Sequence, residues 1–104
     1  MKSFNLLLVA SAALLSFGAQ AATADEIMTK SGCMACHAKD KKVVGPSFKD
    51  IAAKYKGQNV SAKLMEKVRK GGGGVWGPVP MSPTGADKID DATLKSSIEY
   101  VLKS

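Results

Sequence analysis

The sequence predicts an all-α domain of about four short helices. Three observations carry this. Apolar residues recur at helical spacing in several segments, and no segment alternates apolar and polar residues for long enough to argue a sheet. Gly, Pro and small polar residues punctuate the periodic stretches where helices begin and stop. The chain has 104 residues, 45% hydrophobic and 23% charged, which allows one small domain and excludes a large multidomain enzyme. A scaffold of about 250 residues, such as a TIM barrel, is excluded on length alone. With only 6% aromatic residues, the core is marginal unless a disulfide, metal, cofactor or partner supplements it.

The first segment lies outside the fold. Lys2 supplies a short positive region, Leu6 to Leu15 an apolar run broken only by Ser11, and Ala19-Gln20-Ala21 the small-x-small pattern of signal-peptidase sites. Residues 1–21 therefore read as a cleavable signal peptide and residues 22–104 as the mature domain, with cleavage after Ala21 or Ala22 and a periplasmic destination. The apolar run is shorter than the roughly 20 residues that span a bilayer, so no stable membrane insertion is expected.

Four helices follow. Thr23-Ala24-Asp25-Glu26 has capping-box spacing and opens a short helix through Ile27 and Met28 that Gly32 ends. Ser47-Phe48-Lys49-Asp50 starts a second, in which Phe48, Ile51, Ala52 and Tyr55 recur as one face until Gly57 stops it. Ser61 is expected to cap a third, with Leu64, Met65 and Val68 inward and Gly71 as its breaker. Asp90 or Asp91 caps the last, whose apolar stripe is Leu94, Ile98, Val101 and Leu102. Two stretches resist regular structure: the four glycines Gly71 to Gly74, and Pro78-Val79-Pro80-Met81-Ser82-Pro83, where proline removes backbone donors and fixes φ. Too few residues lie beyond them for a second core, so they read as a loop wrapped on something rather than a linker.

The chemistry concentrates in Cys33-Met34-Ala35-Cys36-His37. C-x-x-C-H is the pattern of covalent haem attachment, in which two thiols add to the haem vinyl groups and the adjoining imidazole coordinates iron. One helical turn brings both sulfurs and the ring to the same side of the backbone. A zinc site needs four ligands, and the chain offers two Cys and one His. A thioredoxin-like pair belongs to a βαβ pattern that is missing. A Cys33–Cys36 disulfide closes so short a loop that it adds little stability, and it leaves His37 unexplained. Haem c is thus the expected cofactor, and a large apolar ring held by two bonds supplies the missing centre of the core.

The sixth ligand decides between a carrier and a catalyst. With a single His, the remaining soft ligand is Met. Met1 leaves with the signal, Met34 lies inside the attachment motif, and Met28 and Met65 fall on helical faces as core fillers. Met81 remains, in a proline-fixed loop that suits a ligand strap. Iron between His37 and Met81 has no open position for oxygen or substrate, which implies a one-electron carrier and not an enzyme. Two other classes compete: a ligand-binding or peroxidase-like haem protein with Met81 off the iron, and a haem-free thiol–disulfide protein built on Cys33 and Cys36.

Together, Cys33-Met34-Ala35-Cys36-His37, Val44-Gly45-Pro46 and Val75-Trp76-Gly77-Pro78-Val79-Pro80-Met81 resemble the small bacterial class I cytochromes c of the cytochrome c-551/c-552 family. The resemblance runs over essentially the whole mature chain. It implies a class I cytochrome c fold, about four short helices wrapped around one covalently attached haem, with thioethers at Cys33 and Cys36 and His37 and Met81 as axial ligands. It also implies that the Pro46 carbonyl accepts the His37 Nδ1 proton, fixing the ring. Trp76 matches a residue whose indole reaches a haem propionate, though a core Trp needs an acceptor too. Lys67 matches a basic propionate partner, with Arg69 as a nearby substitute, against the alternative of a solvated helix face. Departures from the family pattern are Ser82 and Thr84 after the Met ligand, which bear on how tightly Met81 is oriented. Tyr100 stands in place of a Trp, and the four-glycine loop is more permissive than usual.

Charge adds a docking expectation. The formal net charge is +6, but residues 30–70 hold eleven Lys or Arg against three Asp or Glu, while residues 71–104 hold three against four. Lys39, Lys41 and Lys42 follow His37 directly, and are expected to rim the haem edge and steer acidic redox partners. The resemblance implies a cytochrome bc complex as donor, and a nitrite reductase, terminal oxidase or cytochrome c peroxidase as acceptor. An exported chain without a recognition motif is not expected to bind nucleic acid. A monomer is expected.

Overall fold

The computed structural model describes residues 22–104; the expected signal peptide and the bond after Ala21 lie outside the described residues. Four α-helices make up the regular structure: α1 Ala24–Lys30, α2 Phe48–Lys54, α3 Ser61–Lys70 and α4 Asp91–Leu102, with a 3-10 turn at Cys33–Ala35. No strand forms among the described residues; only isolated bridges pair His37 with Lys42 and Gly72 with Met81.

Three of the four helices begin where a side chain satisfies backbone N–H groups that no helical carbonyl reaches. Thr23 accepts from Glu26 N at 3.2 Å, Ser47 from Asp50 N at 3.0 Å and Asp90 from Thr93 N at 2.8 Å. The third helix departs from expectation. Ser61 is its first residue and the preceding Val60 is the N-cap, with no side-chain cap bond. Val60 is buried, so the entry to α3 is set by packing an apolar side chain rather than by a hydroxyl. Gly71 ends α3 at φ 68°, a conformation that favours glycine.

Helix α4 is the hub. Its Val101 joins Met28 of α1 and Phe48 of α2 in one buried cluster, against which Cys33, Met34, Ile51 and Tyr100 pack. Its Leu94 and Ile98 join Ile89 in a second cluster, covered by Ile27 and by Leu64, Met65 and Val68 of α3. Met28 and Met65 are therefore core fillers. Met28, 2% exposed, contributes about 1.5–3 kcal/mol by burial. These clusters tie the three shorter helices to α4 and leave the segments 36–47 and 71–84 to run outside the core as backbone without regular structure.

Candidate haem site

The attachment motif is held at both ends. The chain enters through Gly32, at φ 87°, and turns through Cys33–Ala35 as 3-10 rather than α-helix. His37 N donates to Cys33 O at 3.1 Å, so both cysteines and His37 still fall within one turn. The following loop folds back onto the motif: Gly45 N and Val44 N both donate to Cys36 O, at 2.7 and 3.2 Å, and Phe48 N donates to Ala38 O at 3.0 Å. Cys33 and Cys36 are not bonded to each other. Burial pushes the Cys33 thiol above its ordinary pKa, the opposite of the depressed value that marks a redox-active thiolate pair.

That fold-back sets the ring of His37. Its Nδ1 lies 2.7 Å from the Pro46 carbonyl oxygen. A carbonyl only accepts, so Nδ1 carries the proton and Nε2 of the neutral ring presents its lone pair. Two further residues hold the ring; the sequence places Phe48 on the apolar face of α2 and Gly45 in the Val44-Gly45-Pro46 motif, without a contact to His37. Phe48 stacks on it with centroids 5.7 Å apart and planes inclined by 25°. At Gly45, an added Cβ would sit 2.6 Å from His37 Cε1. The sequence signal was present in the Gly45-Pro46 step, because a glycine beside a proline in a turn often marks close backbone approach.

Met81 is fixed from both sides of its loop. Gly72 N donates to Met81 O and Met81 N to Gly72 O, both at 2.9 Å. A Cβ on Gly71 would overlap the Met81 carbonyl oxygen. Downstream, Thr84 N donates to Val68 O of α3 at 2.9 Å. The Met81 side chain is half-buried.

The structure brings Trp76 and Lys67 together and sends Arg69 elsewhere. Trp76, Val75, Tyr55, Leu64, Lys63, Lys67 and Lys70 line one open cleft of about 340 Å3. Trp76 is 42% exposed, and Lys54 Nζ lies 5.3 Å from its ring centroid. Arg69 does not line this cleft. Its guanidinium donates to Thr84 O at 3.1 Å and Ile89 O at 2.7 Å, and pairs with Asp91 at 2.7 Å. Lys39 is exposed, with its Nζ 5.4 Å from the Tyr100 ring centroid, and Tyr100, with Asp25 nearby, holds its pKa up.

The exposed surface fits a large apolar ring. Among the described residues, the exposed large hydrophobic residues are Val43, Val44, Val75, Trp76 and Val79, and they fall in the two loops that carry the Gly-Pro step and the Met81 strap. Such a concentration marks a place where an apolar partner sits. Two unjoined thiols and a ring nitrogen able to offer a lone pair are what covalent haem attachment uses, and the Met81 thioether stands in the strap as a candidate second ligand. Among the described residues, no three of His, Cys, Asp or Glu converge as a metal cage, which leaves the zinc reading without support.

Comparison with known proteins agrees. The family model described as Cytochrome c matches residues 21–104. Cytochrome c2 of Rubrivivax gelatinosus is 49% identical over 84 residues, covering 80% of this chain and 99% of that protein. Cytochrome c-551 of Pseudomonas aeruginosa is 44% identical over 96 residues, covering 90% and 92%. The crystal structure of wild-type Nitrosomonas europaea cytochrome c552 is similar at a TM-score of 0.68 and 39% identity, covering 76% of this chain and 96% of that one. The motif around His37, the helices that frame it and these likenesses lead to one assignment: the chain belongs to the cytochrome c family, as a small class I member.

Proposed function

We propose that this chain is a periplasmic monohaem one-electron carrier, exported by residues 1–21 and folded over residues 22–104, with His37 and Met81 as the axial ligands of its haem. Membership of the family brings electron transport and a covalently attached haem c, consistent with the C-x-x-C-H cysteines Cys33 and Cys36. When bound, haem supplies the iron couple that takes up and releases one electron.

The observation that carries the ligand assignment is the 2.7 Å contact between His37 Nδ1 and Pro46 O. It fixes the tautomer, turns Nε2 outward as a donor and strengthens that donor by polarising the Nδ1–H bond. Phe48 and Gly45 hold the His37 ring in place, so the imidazole would keep its orientation towards a bound haem. Met81 would hold the haem from the strap side and leave no room there for oxygen or substrate, and no catalytic residue is proposed. The apolar residues of the 43–44 and 75–79 loops would exclude water around the bound group. Lys67 and Trp76, on one cleft, are the proposed propionate partners; Arg69, committed to Thr84, Ile89 and Asp91, is not proposed as one.

Exposed Lys41 and Lys42 follow His37 and are proposed to steer acidic partners of the classes a cytochrome bc complex, nitrite reductase, terminal oxidase or cytochrome c peroxidase represents. Among the described residues no helix is long and apolar enough to cross a membrane.

The test is an absorption spectrum of the purified protein. Haem that survives acid–acetone extraction, with the weak far-red band of a ferric iron–thioether bond that Met81→Ala abolishes, is the expected result. Ready binding of carbon monoxide by the native ferrous protein would instead place Met81 off the iron, and a colourless mature protein would end the proposal.

A further inference from the structure

We propose that Arg69 is a positioning residue for Met81: its guanidinium clamps the downstream end of the ligand strap to helix α3 and to the start of α4. The inference rests on Met81 being an axial ligand. Arg69 is the chain's single arginine among fifteen basic residues. It stands where three acceptors from two points of the chain converge: Thr84 O at 3.1 Å, Ile89 O at 2.7 Å and the Asp91 carboxylate at 2.7 Å. A planar fork of donors meets such a set; an ammonium on a flexible stem makes fewer of these bonds at once.

Position in the strap gives the clamp its consequence. Upstream, Met81 is paired in both directions with Gly72. Downstream, Thr84 is only three residues on, and its N–H already donates to Val68 O, the residue before Arg69. Arg69 holds the carbonyl of that same Thr84, so both faces of its peptide linkages are tied to adjacent residues of α3. Between these anchors lie Ser82 and Pro83, and their neighbours 85–88 form no helix or strand. With Arg69 gone, the downstream anchor is one backbone bond. The Arg69–Asp91 ion pair, with Asp91 82% exposed, is by itself a weak contact. The strength lies in a charged donor on two part-buried backbone carbonyls, since charge-assisted hydrogen bonds are roughly twice as strong as neutral ones.

The test uses the ferric holoprotein and added imidazole, which competes with the Met81 thioether for iron. Arg69→Ala is expected to raise imidazole affinity by about tenfold, equivalent to about 1.4 kcal/mol, and to speed amide exchange at Thr84 and Met81. Arg69→Lys should fall between it and the wild type. Thr23→Ala, which removes the α1 cap, lowers stability elsewhere and should leave imidazole affinity unchanged. Unaltered affinity in Arg69→Ala, while Met81→Ala binds imidazole tightly, overturns the clamp but leaves the ligand assignment standing. A Thr23→Ala effect equal to that of Arg69→Ala overturns it as well, by reducing it to global stability. Equal imidazole affinity in Met81→Ala and wild type removes the ligand assignment itself, whatever Arg69 does to amide exchange.

Discussion

At the scale of single residues, the site depends on where a side chain is missing as much as on where one is present. Gly45 has ordinary backbone angles, so its role is space: the Pro46 carbonyl reaches His37 Nδ1 only because nothing larger stands beside the ring. Gly45→Ala is expected to push the imidazole aside, loosen the Nδ1–Pro46 bond and destabilise the holoprotein by about 1–3 kcal/mol, as overpacking does. Denaturant unfolding measures the second effect and the shift of the Nδ1 proton the first. An unchanged proton shift would mean that the loop moves and the ring does not.

At the scale of elements, three of the four helices start on a side chain that accepts a backbone N–H bond, and one of these starts leaves a pH signature. Thr93, through its backbone N–H and its hydroxyl, holds the Asp90 carboxyl below its ordinary value of 3.8. The folded-state pKa is the lower one, so the stability it confers is complete above the ordinary value and is lost as pH falls through the folded value. Asp90→Asn still caps α4 but no longer titrates. Its denaturation midpoint is expected to lie below the wild type's at neutral pH and to converge on it below the ordinary carboxylate range. A gap that stays constant with pH would remove Asp90 from the acid response. Helix bounds of this kind were legible in the sequence because a cap and the amide it serves lie three residues apart. The start of α3 was not, because its N-cap Val60 is a buried apolar residue with no capping side chain to read.

At the scale of the whole molecule, charge is divided along the chain, with residues 30–70 strongly basic and residues 71–104 nearly balanced. Lys41 and Lys42 are exposed and stand on the loop that folds back over the attachment motif, whereas Lys39 is drawn to Tyr100 and Asp25. Lys41→Glu combined with Lys42→Glu should slow electron transfer to an acidic partner at low salt, and the difference should shrink as ionic strength rises. Stopped-flow rates across a salt series check this; equal rates at low salt would refute steering by these two lysines. Lys39→Glu is expected to act on the Tyr100–Asp25 contact instead, which joins α1 and α4 through the bond from Tyr100 Oη to Asp25 at 3.3 Å.

By itself the sequence determined the all-α class, most helix bounds and the attachment motif from Cys33 to His37. Those rest on spacings of three to five residues, within which backbone geometry alone decides what meets. Only the tertiary structure decided the partners of Arg69 and Tyr100. Arg69 finds its acceptors fifteen to twenty-two residues away, and Tyr100 reaches Asp25 across seventy-five. A flexible cation bonds to whichever unsatisfied oxygens packing brings near it, and no local pattern records which carbonyls the strap and the start of α4 leave open.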